Sequence, residues 1–155
     1  MPTAEEKVSD KAELATMTPP VTEETPSFKN IFVKNVTCNG AGRAVFMQGL
    51  PEMNLKGIQL THMKISSTKG IEVVDADGIL FSNMSIITQE GYALQLKNSK
   101  NVTVNGLEYQ VPKEGVIKLE GHLSKNIYFT KSSFKDAAKQ ISISNEVDKR
   151  ALRIE

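Results

Sequence analysis

The sequence predicts an all-β solenoid, a right-handed single-stranded parallel β-helix of about five coils behind a polar N-terminal segment. Three observations predict it. The first is a repeat: β-type runs open on Ile31, Ile58, Ile79, Val102 and Ile127, spaced 27, 21, 23 and 25 residues apart, the period of solenoid units. The second is a shared pattern, with apolar residues at offsets 0, +2, +5 and +7 from each anchor. The third is the residue before each anchor: Asn30, Gly57, Gly78, Asn101 and Asn126. All are types that tolerate the left-handed backbone of a tight corner.

The elements follow in order. Residues 1–26 read as a polar linker or N-terminal cap rich in Pro, Thr and Glu. A short helix over Glu5 to Ala15 would stop at Pro19-Pro20. The β-helix is expected over 27–145, with 146–155 as a C-terminal tail. Its inward sets begin with Ile31, Val33, Val36 and Cys38, and continue as Ile58, Leu60, Met63 and Ile65. Ile79, Phe81, Met84 and Ile86 form the third set, and Val102, Val104, Leu107 and Tyr109 the fourth. The fifth, Ile127, Phe129, Ser132 and Phe134, breaks the apolar rule at Ser132. Alternation puts the first two residues on one strand face, and the step of three marks a bend. A third strand follows in each coil, at Val45 and Met47, Ile71 and Val73, Leu94 and Leu96, 116–119, and Ile141 and Ile143. Offset +4 holds Asn35, His62 and Asn83, a corner ladder that Asn105 continues one place early, before Gly106. A β-sandwich also has short strands and turns, but repetition of a whole inward pattern favours the solenoid.

Composition narrows the partners. Nineteen basic residues against eighteen acidic ones leave a formal charge of +1, which points to neither nucleic acid nor an anionic membrane. No apolar run reaches the roughly 20 residues of a membrane helix. The first twenty residues are acidic where a signal peptide is basic and then apolar. Cys38 is the single cysteine, so no internal disulfide is expected.

The run 26–53, PSFKNIFVKNVTCNGAGRAVFMQGLPEM, carries a family signature. Its NIFVKNV unit returns as GILFSNM, and Gly49-Leu50-Pro51-Glu52 forms an insert. Over Val21 to Asn126 the chain resembles the C-terminal coils of polygalacturonase-type glycoside hydrolases, family 28 of the pectin-lyase-like β-helices. The resemblance implies a bacterial parent, usually periplasmic or extracellular, that hydrolyses galacturonan by inversion with two separated aspartates. That family carries its chemistry in Asn-Thr-Asp, Asp-Asp, Gly-His-Gly and Arg-Ile-Lys motifs, upstream of coils like these. None of the four occurs here; Gly121-His122-Leu123 and Arg153-Ile154-Glu155 are only echoes. The resemblance therefore assigns no catalytic residue to this chain, and no cofactor.

Other candidates rest on the residues alone. Glu72, Asp75 and Asp77 could offer carboxylate oxygens to Ca²⁺, the alternative being solvated acids at a turn. His62 and His122 lack the spacing of a metal site, and Cys38 falls at a core offset, as a packed thiol would. Lys34, Arg43, Lys56, Lys64, Lys97 and Lys118 could line a groove for an acidic polysaccharide such as galacturonan, or could keep strands soluble and unpaired. The sequons at Asn35, Asn83 and Asn101 fall at corners of the repeat, which accounts for them structurally. A solenoid must be capped where its stack stops. The first coil calls for the polar segment as a cap or for another chain, and end-to-end self-association is expected. Three functions remain open: the tail of a pectin-degrading hydrolase that scaffolds a site made elsewhere, a polysaccharide-binding module, or a structural protein assembling through its ends.

Overall fold

A computed structural model describes residues 18–112, 115–134 and 137–155; the helix considered over Glu5 to Ala15 lies outside them. The described chain is a β-solenoid of about five turns in which every strand pair is parallel. Its strands are β1 (Lys29–Gln48), β2 (Leu55–Val74), β3 (Ala76–Thr88), β4 (Leu94–Lys97), β5 (Lys100–Gln110), β6 (Ile117–Glu120), β7 (Lys125–Thr130), β8 (Ile141–Ile143) and β9 (Leu152–Ile154). Two ladders climb from β2, one through β3, β5, β7 and β9 and the other through β4, β6 and β8, while β1 lies on β2. A four-residue helix, α1 (Ala137–Gln140), precedes β8.

The anchors stack in register: Ile31 on Ile58, Ile58 on Ile79, then Val102, Ile127 and finally Leu152. Inward residues of successive turns therefore touch directly, and Ile58, Phe81, Ile86, Leu96, Val104 and Phe129 are buried to within a few per cent. A fully buried aliphatic or aromatic side chain contributes about 1.5–3 kcal/mol, so these rows supply most of the driving force.

The sequence predicts three short strands per coil, whereas β1 and β2 each run for 20 residues through their corners. One left-handed residue is enough to turn the chain. Asn35, His62, Asn83, Gly106 and Lys131 have φ of 60°, 53°, 53°, 81° and 51°. Each follows a pair of residues in register with the next turn, so adjacent turns bend together and the ladder need not break. Asn105, grouped with that ladder by sequence, stands before the corner and accepts a hydrogen bond from Thr130 Oγ1 at 3.1 Å. Gly106 takes the corner instead, because the αL region costs a residue without a β-carbon nothing.

Two other expectations need correction, and one exception to the pattern finds its reason. Cys38 is exposed rather than packed, because its inward offset lies on β1, the turn that no further strand covers among the described residues. The stretch 146–155 is not a tail: Leu152 and Ile154 stack on Ile127 and Phe129 after a 3₁₀ turn capped by Asp148, which accepts from the Arg150 N–H at 2.8 Å. The break in the apolar rule at Ser132 has a structural reason. β7 ends at Thr130, and the Ser132 hydroxyl accepts from the Leu107 N–H at 3.0 Å in place of a strand carbonyl. Phe134 returns inward to stack on Tyr109, with ring centroids 5.9 Å apart.

Candidate functional site

The residues singled out by sequence do not gather into one centre. Glu72 faces outward on β2 and pairs with Arg43 at 3.2 Å. Asp77 accepts from Asn101 Nδ2 at 2.7 Å and lies 3.9 Å from Lys100 Nζ. Asp75 is itself a left-handed corner, with φ of 52°. Burial pushes its carboxyl above the usual range; Lys97 opposes the shift and Glu52, on the 49–54 insert, adds to it. Among the described residues no three His, Cys, Asp or Glu side chains converge as metal ligands.

The insert is seated by contact with that corner. Gly49 donates its N–H to the Val74 carbonyl at 2.9 Å and Leu55 donates to the Asp75 carbonyl at 3.1 Å. A β-carbon at Gly49 would run into that same carbonyl, so glycine is required there. Leu50 and Met53 exchange backbone hydrogen bonds of 3.1 Å and close the insert into a tight loop.

The basic residues are spread over the surface. Lys34 and Lys64 stand on the first two faces of the coil, Lys56 at the start of β2, and Lys97 beside the Asp75 corner, all exposed. Arg43 and Lys118 share the third face, but Arg43 is held by Glu72 and lies over the Phe46 ring at 4.9 Å. Lys118 is held by Glu120 at 3.0 Å, and that hydrogen bond raises its pKa. A shallow hollow of about 320 Å³ lies between Arg43, Glu72, Glu90, Tyr92 and Gln95. It mixes both charges and one aromatic ring, with no concentrated positive field.

His62 Nε2 lies 3.3 Å from Asn83 Nδ2, so in the tautomer with Nδ1 protonated the imidazole accepts from the amide. Asn101 accepts in turn from Asn126 Nδ2 at 3.1 Å. These are ladder contacts along the stack and satisfy the corners that make them. The sequon asparagines Asn35, Asn83 and Asn101 are all left-handed corner residues.

The distinctive surface is the β1 end of the stack. β1 pairs only with β2, so among the described residues its other edge has no strand partner along 20 residues. Its inward side chains are uncovered: Ile31 is 41% exposed where its register partner Ile58 is 3% exposed. Between Ile31, Val33, Val45 and Met47 the open lumen forms an apolar hollow of about 380 Å³ floored by Ile58 and Leu60. Outward apolar groups crowd the same turn. Phe32 is 66% and Phe46 52% exposed, and Phe28 lies just before the strand. β1 carries Lys29, Lys34 and Arg43 and no acidic residue. A surface of this kind performs no bond chemistry; it can accept another strand and bury apolar area.

Sequence reasoning placed an open end here but overlooked Phe32 and Phe46. The signal was available in the outward rows. Phe46 heads a row continued by Glu72, Gln95, Lys118 and Ser142, so a large ring stands where the later turns carry polar groups. Comparison of the chain with protein-family models, with curated proteins and with solved structures finds no match.

Proposed function

We propose that this chain is a structural β-solenoid unit that works by assembling through its β1 end. One observation carries the reading: the inward row that is buried from Ile58 through Ile127 is open at β1, where Ile31 is 41% exposed against 3% for Ile58. A parallel stack gains its stability from neighbouring turns, and an uncovered turn leaves both apolar area and strand backbone in water. The free edge and the open lumen lie on the same surface, so one docking event would cover both.

The ancestry we propose is polygalacturonase-like, supported by NIFVKNV over 30–36, GILFSNM over 78–84 and the Gly49 to Glu52 insert. On that reading the hydrolysis of a pectin-like polysaccharide belongs to coils that carry the paired aspartates, and this chain contributes scaffold. Binding of an acidic glycan is the weaker alternative, because the six basic candidates are dispersed and two are already paired. One preparation tests both parts. Its sedimenting mass is expected to rise above 17.1 kDa as concentration increases, with no release of reducing ends from polygalacturonate. A constant mass of one chain would overturn the assembly, and released reducing ends would overturn the scaffold role.

A further inference from the structure

We propose that the corner between the third and first faces of the coil binds a tetrahedral oxyanion, a phosphate or sulfate group, through Lys100, His122 and Lys125. This site is separate from the β1 end and does not depend on assembly. Loop lengths create its hollow. The chain leaves the third face through Asp75 alone after β2, and through Asn98-Ser99 after β4. After β1 and β6 it takes the longer loops 49–54 and 121–124. The long loops flank the short corners, and a hollow of about 170 Å³ opens between Asn54, Asn98, Lys100, His122, Leu123 and Lys125. Pockets for whole drug-sized ligands run to ~300–1,000 Å³, so this one is sized for a single charged group.

Its charge is one-sided. Lys100, His122 and Lys125 line the hollow, and no acidic side chain does among the described residues. Lys100 and Lys125 are register partners on adjacent turns, which sets their backbones about 4.7–4.9 Å apart. Like charges so placed repel, and an anion between them replaces that repulsion with two attractions. Asp77 does not fill this role. It reaches Lys100 at 3.9 Å from the turn on the side away from Lys125, and it also accepts from Asn101. Among the described residues the side chains of His122 and Lys125 make no hydrogen bond or ion pair.

The loop that carries the donors is tied down on both sides. Ser124 donates its N–H to the Gly121 carbonyl at 3.1 Å and its hydroxyl to the Glu120 carbonyl at 2.7 Å. Gly121 donates to Glu146 Oε1 at 2.8 Å, and the Lys125 N–H donates to the Ser99 carbonyl at 3.3 Å. Asn98 Oδ1 accepts from the Leu123 N–H at 3.4 Å and packs where a β-carbon on Gly121 would stand. The carbonyl end of that amide is thus used, and its Nδ2 has no partner among the described residues. A site held in this way loses little freedom on binding.

The kind of donor selects the ligand. A planar carboxylate is matched by the parallel N–H groups of an arginine fork, and no arginine lines this hollow. Two ammonium groups, an imidazole and an amide are instead separate point donors. They suit an oxyanion whose oxygens point in four directions.

The test follows the amide NMR spectrum of the isotope-labelled full-length chain at fixed ionic strength, as chloride is replaced by inorganic phosphate, sulfate or acetate. Phosphate and sulfate are expected to shift the amides of 121–125 and Lys100 saturably, and acetate to bind more weakly. Lys125→Gln alters an exposed side chain without a structural partner among the described residues. It should weaken phosphate binding by about fivefold, while Lys34→Gln, on the first face, leaves it unchanged. A sugar phosphate titrated alongside separates two sources of the same group: tighter binding than inorganic phosphate assigns an ester, and equal binding assigns the free ion. No saturable shift, or an equal loss from Lys34→Gln, would overturn the site. Acetate binding as tightly as phosphate would overturn the tetrahedral assignment.

Discussion

Asp75 shows how a corner residue can be set against its surroundings. The turn needs a left-handed backbone there, which Asp and Asn both tolerate, but the site is 8% exposed and beside Glu52. Its pKa in the fold is raised above 3.8, so the native state holds that proton more tightly than the unfolded chain does. That contribution is complete below the unfolded value and is lost as pH rises through the raised native value. Asp75→Asn keeps the hydrogen-bonding shape and removes the ionisation. It should therefore raise the urea midpoint at pH 7, with the gain shrinking as pH falls through the raised native value and gone below 3.8; a gain independent of pH would show that it does not come from removing the buried charge. The corner asparagines were legible from residue type and period. Of the two readings open for Asp75, metal ligand or turn residue, the fold shows the turn; a DAD triplet looks the same whether its carboxylates converge or one of them turns the backbone.

At the scale of an element, the rule is that a strand may end early if a side chain takes over its hydrogen bonds. β7 stops at Thr130 and the Ser132 hydroxyl accepts from the Leu107 N–H while donating to the Thr130 carbonyl at 3.2 Å. Ser132→Ala leaves a buried donor without its acceptor, which costs about 1–3 kcal/mol. A loss of that size in urea unfolding, with the spectrum of the folded state unchanged, is expected; a neutral result would mean that water replaces the hydroxyl. Sequence periodicity flagged Ser132 as the one exception to the apolar rule, and an exception in an otherwise complete pattern was the useful signal. β9 was invisible to the same method. Leu152 and Ile154 supply only the first half of a repeat, too little to register as a period, and the 3₁₀ turn before them interrupts the alternation. Strand length was misjudged for a related reason: a one-residue bend reads in sequence as a break, although the paired bend on the next turn keeps the ladder whole.

For the whole molecule, the inward rows were readable because burial enforces the same offsets in every turn, and the stack of anchors from Ile31 to Ile127 came out in the register the sequence implies. The working surface was only half readable. The offsets say that Ile31 and Cys38 point inward in every case; whether anything lies above them is a property of the neighbouring turn, which no local pattern encodes. Phe46 needed the register across turns before its place at the head of a polar row stood out.

Each turn here is held chiefly by the turn on either side, and that arrangement grades the molecule in time as well as in space. The middle turns lose two interfaces when they open, and the β1 turn only one. Opening should therefore begin at the ends of the stack and travel inward like a fraying rope, with amide hydrogen exchange faster over 29–48 and 141–154 than over 94–104. Uniform protection along the chain would mean that the turns open together instead. A partner seated on β1 would then do more than extend the stack. By slowing unravelling from that side it would lengthen the life of every turn behind it, so the occupancy of one end would bear on the persistence of turns it never touches.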